Sequence, residues 1–323
     1  MSIPVSKEHT ASYRAREVSG PTPVIDGVWS VPVPLHGSPL RSVIVYLIET
    51  PEGPVLIDAG YEHPTCWASF QEALERIGRS PKSIRAVLLT HNHPDHVGFA
   101  DRVRDVSGAQ VVMHQDDDFA FLHRRRGRFL TQLHTALVMT GAPDDVVESM
   151  YAEAGKVAKH SESLDLDVVL TEDIDFRFGD VTVRAIHAPG HTYGHTIFVS
   201  QGLVFTGDTM MPEGPTQLAI PSLPEDNPAA DLFGTLDRIR DLGAEIACPA
   251  HQFAYRDVAE RAMELKAFHQ REVEKVRGLL ADHGTAWEIA PHLTWPKPWD
   301  ELGPGTRRFA LIHTLALLHG AKV

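Results

Sequence analysis

The chain has 323 residues, 43% of them hydrophobic and 23% charged, enough to bury a large core and ordinary for a globular protein. A net charge of −13 argues against a polyanion as the main partner, and no apolar run approaches the roughly 20 residues that span a bilayer. Cys66 and Cys248 are too few for a disulfide framework, and MSIPVSKEHTASYRAREVSG lacks the apolar segment of a secretory leader, so a cytoplasmic protein is expected.

The first predicted elements are short apolar runs rich in β-branched residues: SVIVYLIET, GPVLIDAG and IRAVLLT read as strands. TPEGP between the first two is turn chemistry and predicts a hairpin. Between the second and third, TCWASFQEALERIGRS puts Trp67, Phe70, Leu74 and Ile77 at helical spacing, with Gly78 in the usual C-terminal position. HVGFADRVRDVSG then predicts a short helix and AQVVMH a strand, the alternation of an α/β fold. From about 116 to 167 the pattern predicts a helical insertion. FLTQLHTALVM places Phe129, Leu133, Leu137 and Val138 on one stripe, and DDVVESMYAEAGKVAK follows a Gly-Ala-Pro break. Strands return in DFRFGDVTVRAIHAPG, HTIFVSQGLVFTGDT and EIACPAH, with NPAADLFGTLDRIRDLG a helix before the last. Beyond about Ala254 only helices are expected, ending in GTRRFALIHTLALLHG.

Each notable polar cluster follows a predicted strand. AVLLT leads into His91, VTVRAIHAPG into His191, LVFTG into Asp208 and IACPA into His251. Strand ends deliver side chains to a common edge on rigid backbone. Zinc takes imidazole nitrogen and carboxylate oxygen, and a catalytic site leaves a position for water. His91, His93 and His191 can supply one tripod of neutral imidazoles, and Asp95, His96 and His251 a second donor set. Asp208, with two oxygens to offer, belongs between the ions. Two divalent ions against two carboxylates leave positive charge, enough to ionise a bridging water near neutral pH. H-x-H alone is weak evidence, whereas H-x-H-x-D-H after a buried strand, followed in order by PGHT, GDT and PAH, is a strong signal.

THNHPDH together with APGHTYGHT, FTGDT and CPAH resembles the metallo-β-lactamase superfamily of hydrolases, over most of residues 25–255. The resemblance implies an α/β fold, a four-layer αββα sandwich with two metals at one edge of the sheets. It assigns the same seven ligands: His91, His93, Asp95, His96, His191, Asp208 and His251. LIDAG also matches a segment of the family, whose Asp58 would orient a ligand histidine from behind. His195 resembles the family's second histidine in its segment and is expected to hydrogen-bond rather than ligate. His187 is expected to be a satisfied buried imidazole and Cys248 a core residue. His36, His114, His123 and His134 receive no role.

Residues 1–255 are therefore expected to form the catalytic domain, and 256–323 a helical, winged-helix-like segment. The centre implies hydrolysis of a carboxylic ester, thioester or lactone, with Asp95 or a bound water passing the proton to the leaving group. The expected cofactors are two divalent ions, zinc first, with iron or manganese open to a nitrogen–oxygen donor set. Met211 stands where homoserine-lactone hydrolases of this fold commonly carry tyrosine, the basic glutathione-binding segment of glyoxalase II-like enzymes has no clear counterpart, and no cysteine stands among the second-metal ligands. The alternatives are a nuclease or phosphodiesterase on this scaffold and a noncatalytic or redox di-metal protein. Residues 256–323 hold ten Lys and Arg against nine Asp and Glu, poor footing for nucleic acid, so the partner expected is a small-molecule substrate. The segment is instead expected to cap the site or support a homo-oligomer. Phe119, Phe121, Phe129 and Leu133 are candidates to wall a pocket, although helix core is the commoner role of such a stripe. The run HRRRGR at 123–128 reads as solvated surface. Were the insertion to cover the metals, an arginine of 124–126 would meet an anionic substrate end.

Overall fold

The computed structural model describes residues 2–35, 38, 40–157 and 162–322. His36, residues 158–161 of the insertion and the last residue of the C-terminal segment lie outside the described residues. Seven strands form one sheet in sequence order: β1 (Thr22–Ile25), β2 (Val28–Pro34), β3 (Ser42–Ile48), β4 (Val55–Ile57), β5 (Ala86–Leu88), β6 (Gln110–His114) and β7 (Val168–Leu170). β1 to β4 pair antiparallel and β4 to β7 parallel. A second sheet has the order β12-β11-β10-β9-β8, from β8 (Ile174–Phe178), β9 (Val181–His187), β10 (Thr196–Ser200), β11 (Leu203–Gly207) and β12 (Ile246–Pro249).

β3 shows why these runs are apolar without a break. Ile44, Tyr46 and Ile48 face the second sheet, meeting Phe198, Phe205 and Cys248, while Val43, Val45 and Leu47 face helices on the outside. A strand buried on both faces gives up the polar alternation of a solvated one. The outer helices of this sheet are α2 (Pro64–Arg76) and α4 (Ala100–Ser107), joined to it through Phe70, Leu74, Phe99 and Val103. α2 starts at Pro64 behind His63, whose ring accepts from the Thr65 N–H, and ends before Gly78 at φ 71°.

Helices α6 (Phe129–Met139), α7 (Asp144–Val157), α8 (Pro228–Asp241), α9 (Val258–Leu279) and α11 (Pro304–Ala321) cover the outer face of the second sheet, completing four αββα layers. The short helices are α1 (Lys7–Ala15), α3 (Pro94–Val97), α5 (Phe119–Arg125) and α10 (Ala286–Ile289). The insertion is helical as expected, in α5 to α7. Its stripe needs correction: Leu133 and Leu137 are buried, but Phe129 is 41% and Val138 56% exposed. At about 100° per residue, Val138 lies half a turn round from Phe129, and Ala136 takes the buried place. The described residues after 255 hold helices and 3-10 turns without a strand, and α11 packs on α6 to α9 through one apolar cluster. No helix among the described residues is long and apolar enough to cross a membrane.

Candidate metal centre

Asp58 follows β4, His91 β5, His191 β9, Asp208 β11 and His251 β12, while His93 caps α3 and Asp95 and His96 sit within it. The folded chain brings all seven sequence-predicted ligands into two adjoining groups. Donor atoms of His91, His93, His191 and Asp208 lie within 4.8 Å of one another, as do those of Asp95, His96 and His251. Asp208 joins the groups. Its Oδ2 is 3.7 Å from His191 Nε2, and its Oδ1 is 3.6 Å from His96 Nε2 and 3.4 Å from His251 Nε2. The Asp95 carboxylate is 3.4 Å from His251 Nε2 and 3.9 Å from His96 Nε2.

The test of metal fit lies in atoms left without partners. His91 Nε2, His96 Nε2, His251 Nε2 and Asp208 Oδ1 are buried and make no hydrogen bond with a described residue. Buried polar atoms are rarely left so, and here they converge. The opposite ring nitrogens are all engaged. His251 Nδ1 meets the Ser42 carbonyl at 2.8 Å and His191 Nδ1 the Gln217 carbonyl at 2.8 Å, so both carry hydrogen on Nδ1 and turn a lone pair inward. His96 Nδ1 donates to Asp58 Oδ2 at 2.8 Å. Asp58 also accepts from the Thr90 N–H and hydroxyl, leaving the Thr90 oxygen to accept from His91 Nδ1 at 2.9 Å. One carboxylate thus sets two imidazoles. His191 Nε2 and His93 Nδ1 stand 3.2 Å apart, close to the roughly 3.3 Å edge of a tetrahedron with 2.0–2.1 Å metal–nitrogen bonds. The residues fit a pair of divalent cations.

The electrostatics agree. Burial pulls His96 down, but the carboxylates of Asp58, Asp208 and Asp95 outweigh it and raise the ring to about 10. Cationic character is therefore favoured at this spot. Burial raises Asp208 as well, yet His251, His96 and His191 pull it below the usual carboxylate range. Burial and then the neighbouring imidazoles lower His91, and burial lowers His93 to about 3, so these rings are neutral donors.

His195 lies behind the donors. Its ring stacks on His91 at 5.0 Å, its Nε2 accepts from the Asp208 N–H at 3.3 Å and its Nδ1 meets the Thr209 hydroxyl at 3.1 Å. Gly207 makes room for it, since at φ 50° a Cβ there would fall 2.6 Å from His195 Nε2. His187 donates to the Tyr193 carbonyl at 2.8 Å, and Cys248 is buried between the sheets. A third group, His114, Asp116 and His187, differs from the first two. The imidazoles stack at 4.0 Å and 5°, so their in-plane lone pairs run parallel and do not converge on one ion.

Sequence reasoning missed Asp117. Its buried carboxylate accepts from the Asn92 N–H, the Thr192 hydroxyl at 2.6 Å and the Gly194 N–H at 2.9 Å, tying together the loops that carry His91 and His191. The only sequence signal is its place in a run of three aspartates after a strand. The carbonyls of Ser42 and Gln217 have no sequence signal at all.

A pocket of about 450 Å³ opens on the first donor group, with His93 and His191 in its lining. The insertion supplies Phe119, Leu122, Phe129 and Leu133, and α11 supplies Arg308, Phe309, Ile312 and His313. Phe121 is not in the lining. The expectation of an arginine from 124–126 is corrected. Arg124 and Arg125 point to solvent, and Arg126 forms a two-pronged ion pair with Asp226 at 2.6 and 2.9 Å while stacking 3.8 Å from the Tyr193 ring.

Residues 39–251 match the family model described as the metallo-beta-lactamase superfamily. The chain is 21% identical over 228 residues to a hydroxyacylglutathione hydrolase of Methylobacillus flagellatus, covering 70% of this chain and 68% of that one. It is 24% identical over 244 residues to an atrochrysone carboxyl ACP thioesterase of Aspergillus fumigatus, covering 74% of this chain and 45% of that one. Curated relatives are thus spanned over about half to two thirds of their own length. A crystal structure of a metallo-beta-lactamase family protein of Thermus thermophilus superposes with a TM-score of 0.71 at 26% identity, covering 93% of this chain and 94% of that one.

Proposed function

The chain belongs to the metallo-β-lactamase superfamily, and we propose that it is a metal-dependent hydrolase of a carboxylic ester, thioester or lactone. The observation that carries this reading is the convergence of unpartnered buried nitrogen and carboxylate atoms in two groups beside an apolar pocket. A relative named as a thioesterase and others named as hydrolases support it and favour a thioester. His91, His93 and His191 would hold one ion, Asp95, His96 and His251 the other, and Asp208 both. Zinc is our first assignment, because neutral imidazoles and carboxylates suit it. When bound, such ions supply Lewis acidity toward a carbonyl and lower the pKa of water.

The chain's own residues supply position and proton handling. Phe119, Leu122 and Leu133 exclude water from the pocket and lay the substrate against His93 and His191. Burial raises Asp95, but His96 and His251 outweigh it and hold the carboxyl well below the usual range. About one fifth exposed, it is the carboxylate of the set with most access to solvent and the one that would relay a proton to the leaving group. Asp58 and Thr90 keep the Nδ1 protons of His96 and His91 in place. The free, buried cysteines favour a cytoplasmic location.

The reading is tested by metal analysis of purified protein together with hydrolysis of a thioester, a homoserine lactone, an aryl ester, a phosphodiester and single-stranded RNA. Two metal equivalents per chain and carbonyl cleavage lost in Asp208→Ala support it. Cleavage confined to phosphodiester or RNA, or no bound metal, overturns it.

A further inference from the structure

Among the described residues, the pocket lining has one cation with no hydrogen bond or ion pair to balance it. Among the charged groups of its lining, Asp117 accepts three hydrogen bonds and Glu162 is paired with His123 at 3.1 Å. Burial lowers His313 to about 4, which leaves that ring neutral. Arg308 differs: it makes no hydrogen bond or ion pair with a described residue and only leans on the Phe309 ring at 5.3 Å. Glu153 exerts a field on it but is itself paired with Lys156. A guanidinium half-withdrawn from water against the Phe309 ring has lost hydration without gaining an acceptor among the described residues. Such a fork matches a carboxylate in two parallel hydrogen bonds. Phe119, Leu122, Leu133, Leu218 and Ile220 make much of the remaining wall apolar, and 450 Å³ lies in the lower part of the range for small-ligand sites, about 300–1,000 Å³.

We propose that the pocket takes an apolar acyl group ending in a carboxylate, the guanidinium of Arg308 receiving the carboxylate while the scissile carbonyl lies against His93 and His191. This rests on the hydrolase reading above and names its substrate class. In the reaction water adds its oxygen to the carbonyl carbon, the carbon–sulfur or carbon–oxygen bond breaks, and the leaving group departs with a proton. The product is a dicarboxylate.

The test uses metal-loaded protein and N-acetylcysteamine thioesters of octanedioic acid, of its ω-methyl ester and of octanoic acid. Wild type is expected to prefer the free carboxylate over the methyl ester by roughly 10- to 100-fold in kcat/KM, the worth of hydrogen bonds to a charged group. Arg308→Gln should bring that ratio to about 3-fold or less, Arg308→Lys should keep part of it, and Arg271→Gln on the exposed face of α9 should keep all of it. Calorimetry with thioether analogues, in which CH2 replaces the scissile carbonyl, reads the same preference without turnover. Preference in binding that depends on Arg308, with no thioester, ester or lactone of either panel cleaved, sustains this inference and sinks the hydrolase reading. Cleavage with no carboxylate preference in either readout, or a preference that survives in Arg308→Gln, overturns this inference and leaves the hydrolase reading standing.

Discussion

Asp58→Asn separates a residue that holds the centre together from one that merely fills space. The replacement is nearly isosteric, and asparagine tolerates the left-handed backbone that Asp58 adopts at φ 65°. Asp58 accepts three hydrogen-bond donors: the Thr90 N–H, the Thr90 hydroxyl and His96 Nδ1. An amide offers one oxygen and one NH2, so with the oxygen kept on Thr90 it presents hydrogens to His96. The ring then places its proton on Nε2, pointing into the site, and the second donor group loses a lone pair. A hydrogen bond to a charged acceptor contributes about 1.5–3 kcal/mol, or roughly 10- to 150-fold in affinity, in line with the roughly 10- to 100-fold typical of groups that support metal ligands. Competition with a chromophoric chelator should show the weaker of two metal equivalents loosened by that factor, with the tighter one little changed. Two equivalents bound as tightly as in wild type would refute the tautomer argument.

Arg126→Met is expected to lower stability by about 3–5 kcal/mol in denaturant titration, because it leaves Asp226 charged and unpaired with both side chains at most 5% exposed. Burial raises Asp226, but Arg126 and the N–H groups of Ser222 and Leu223 lower it below the usual carboxylate range. A depressed carboxyl stabilises the fold above its unfolded pKa of about 3.9, and that contribution fades as pH falls through the lower folded value. Wild type should therefore lose more stability than Arg126→Met on acidification through that range; equal losses would remove the pair from the account. Chelation should lower the melting temperature, since ligand at about 100 times its Kd adds about 2.7 kcal/mol to a state that alone binds it. A melting curve that does not respond while metal analysis shows the ions removed would mean the sheets hold the site without them.

Much of the fold was legible because strands buried on both faces must be apolar throughout, and short β-branched runs at 42–48, 55–57 and 86–88 have few other uses. The chain's beginning was not legible. β1 and β2 carry Pro23, Pro32 and Pro34 and do not stand out as strands; β1 is the sheet's edge and reaches β2 only as far as Ser30, so Pro32 and Pro34 pair with β3 alone. The donor residues could be read because ligand chemistry restricts residue type. The positions of Arg126 and Arg308 could not. Arg126 meets Asp226 a hundred positions on, and a basic run records solvation and pairing identically. Nothing in RRFALIH distinguishes an arginine that faces a pocket from one that faces water.

The two kinds of support behind the imidazoles show how the site depends on the whole sandwich. His191 and His251 are set by backbone carbonyls, so their tautomers follow from chain path and survive side-chain change at Gln217 and Ser42. His91 and His96 are set by Thr90 and Asp58, so theirs depend on residue identity. The carbonyl that holds His251 comes from β3 of the first sheet, while His251 itself follows β12 of the second. Asp208, from the second sheet, faces His96, from the first. The donor set is therefore complete only when both sheets are packed, and the apolar contacts of Ile44, Tyr46, Phe198 and Phe205 between them are also what fixes the metal geometry. The pocket wall follows a different rule. α5, α6 and α11 line it from outside the sheets, so its residues can change without disturbing the donors, and substrate choice can vary while the metal chemistry stays fixed.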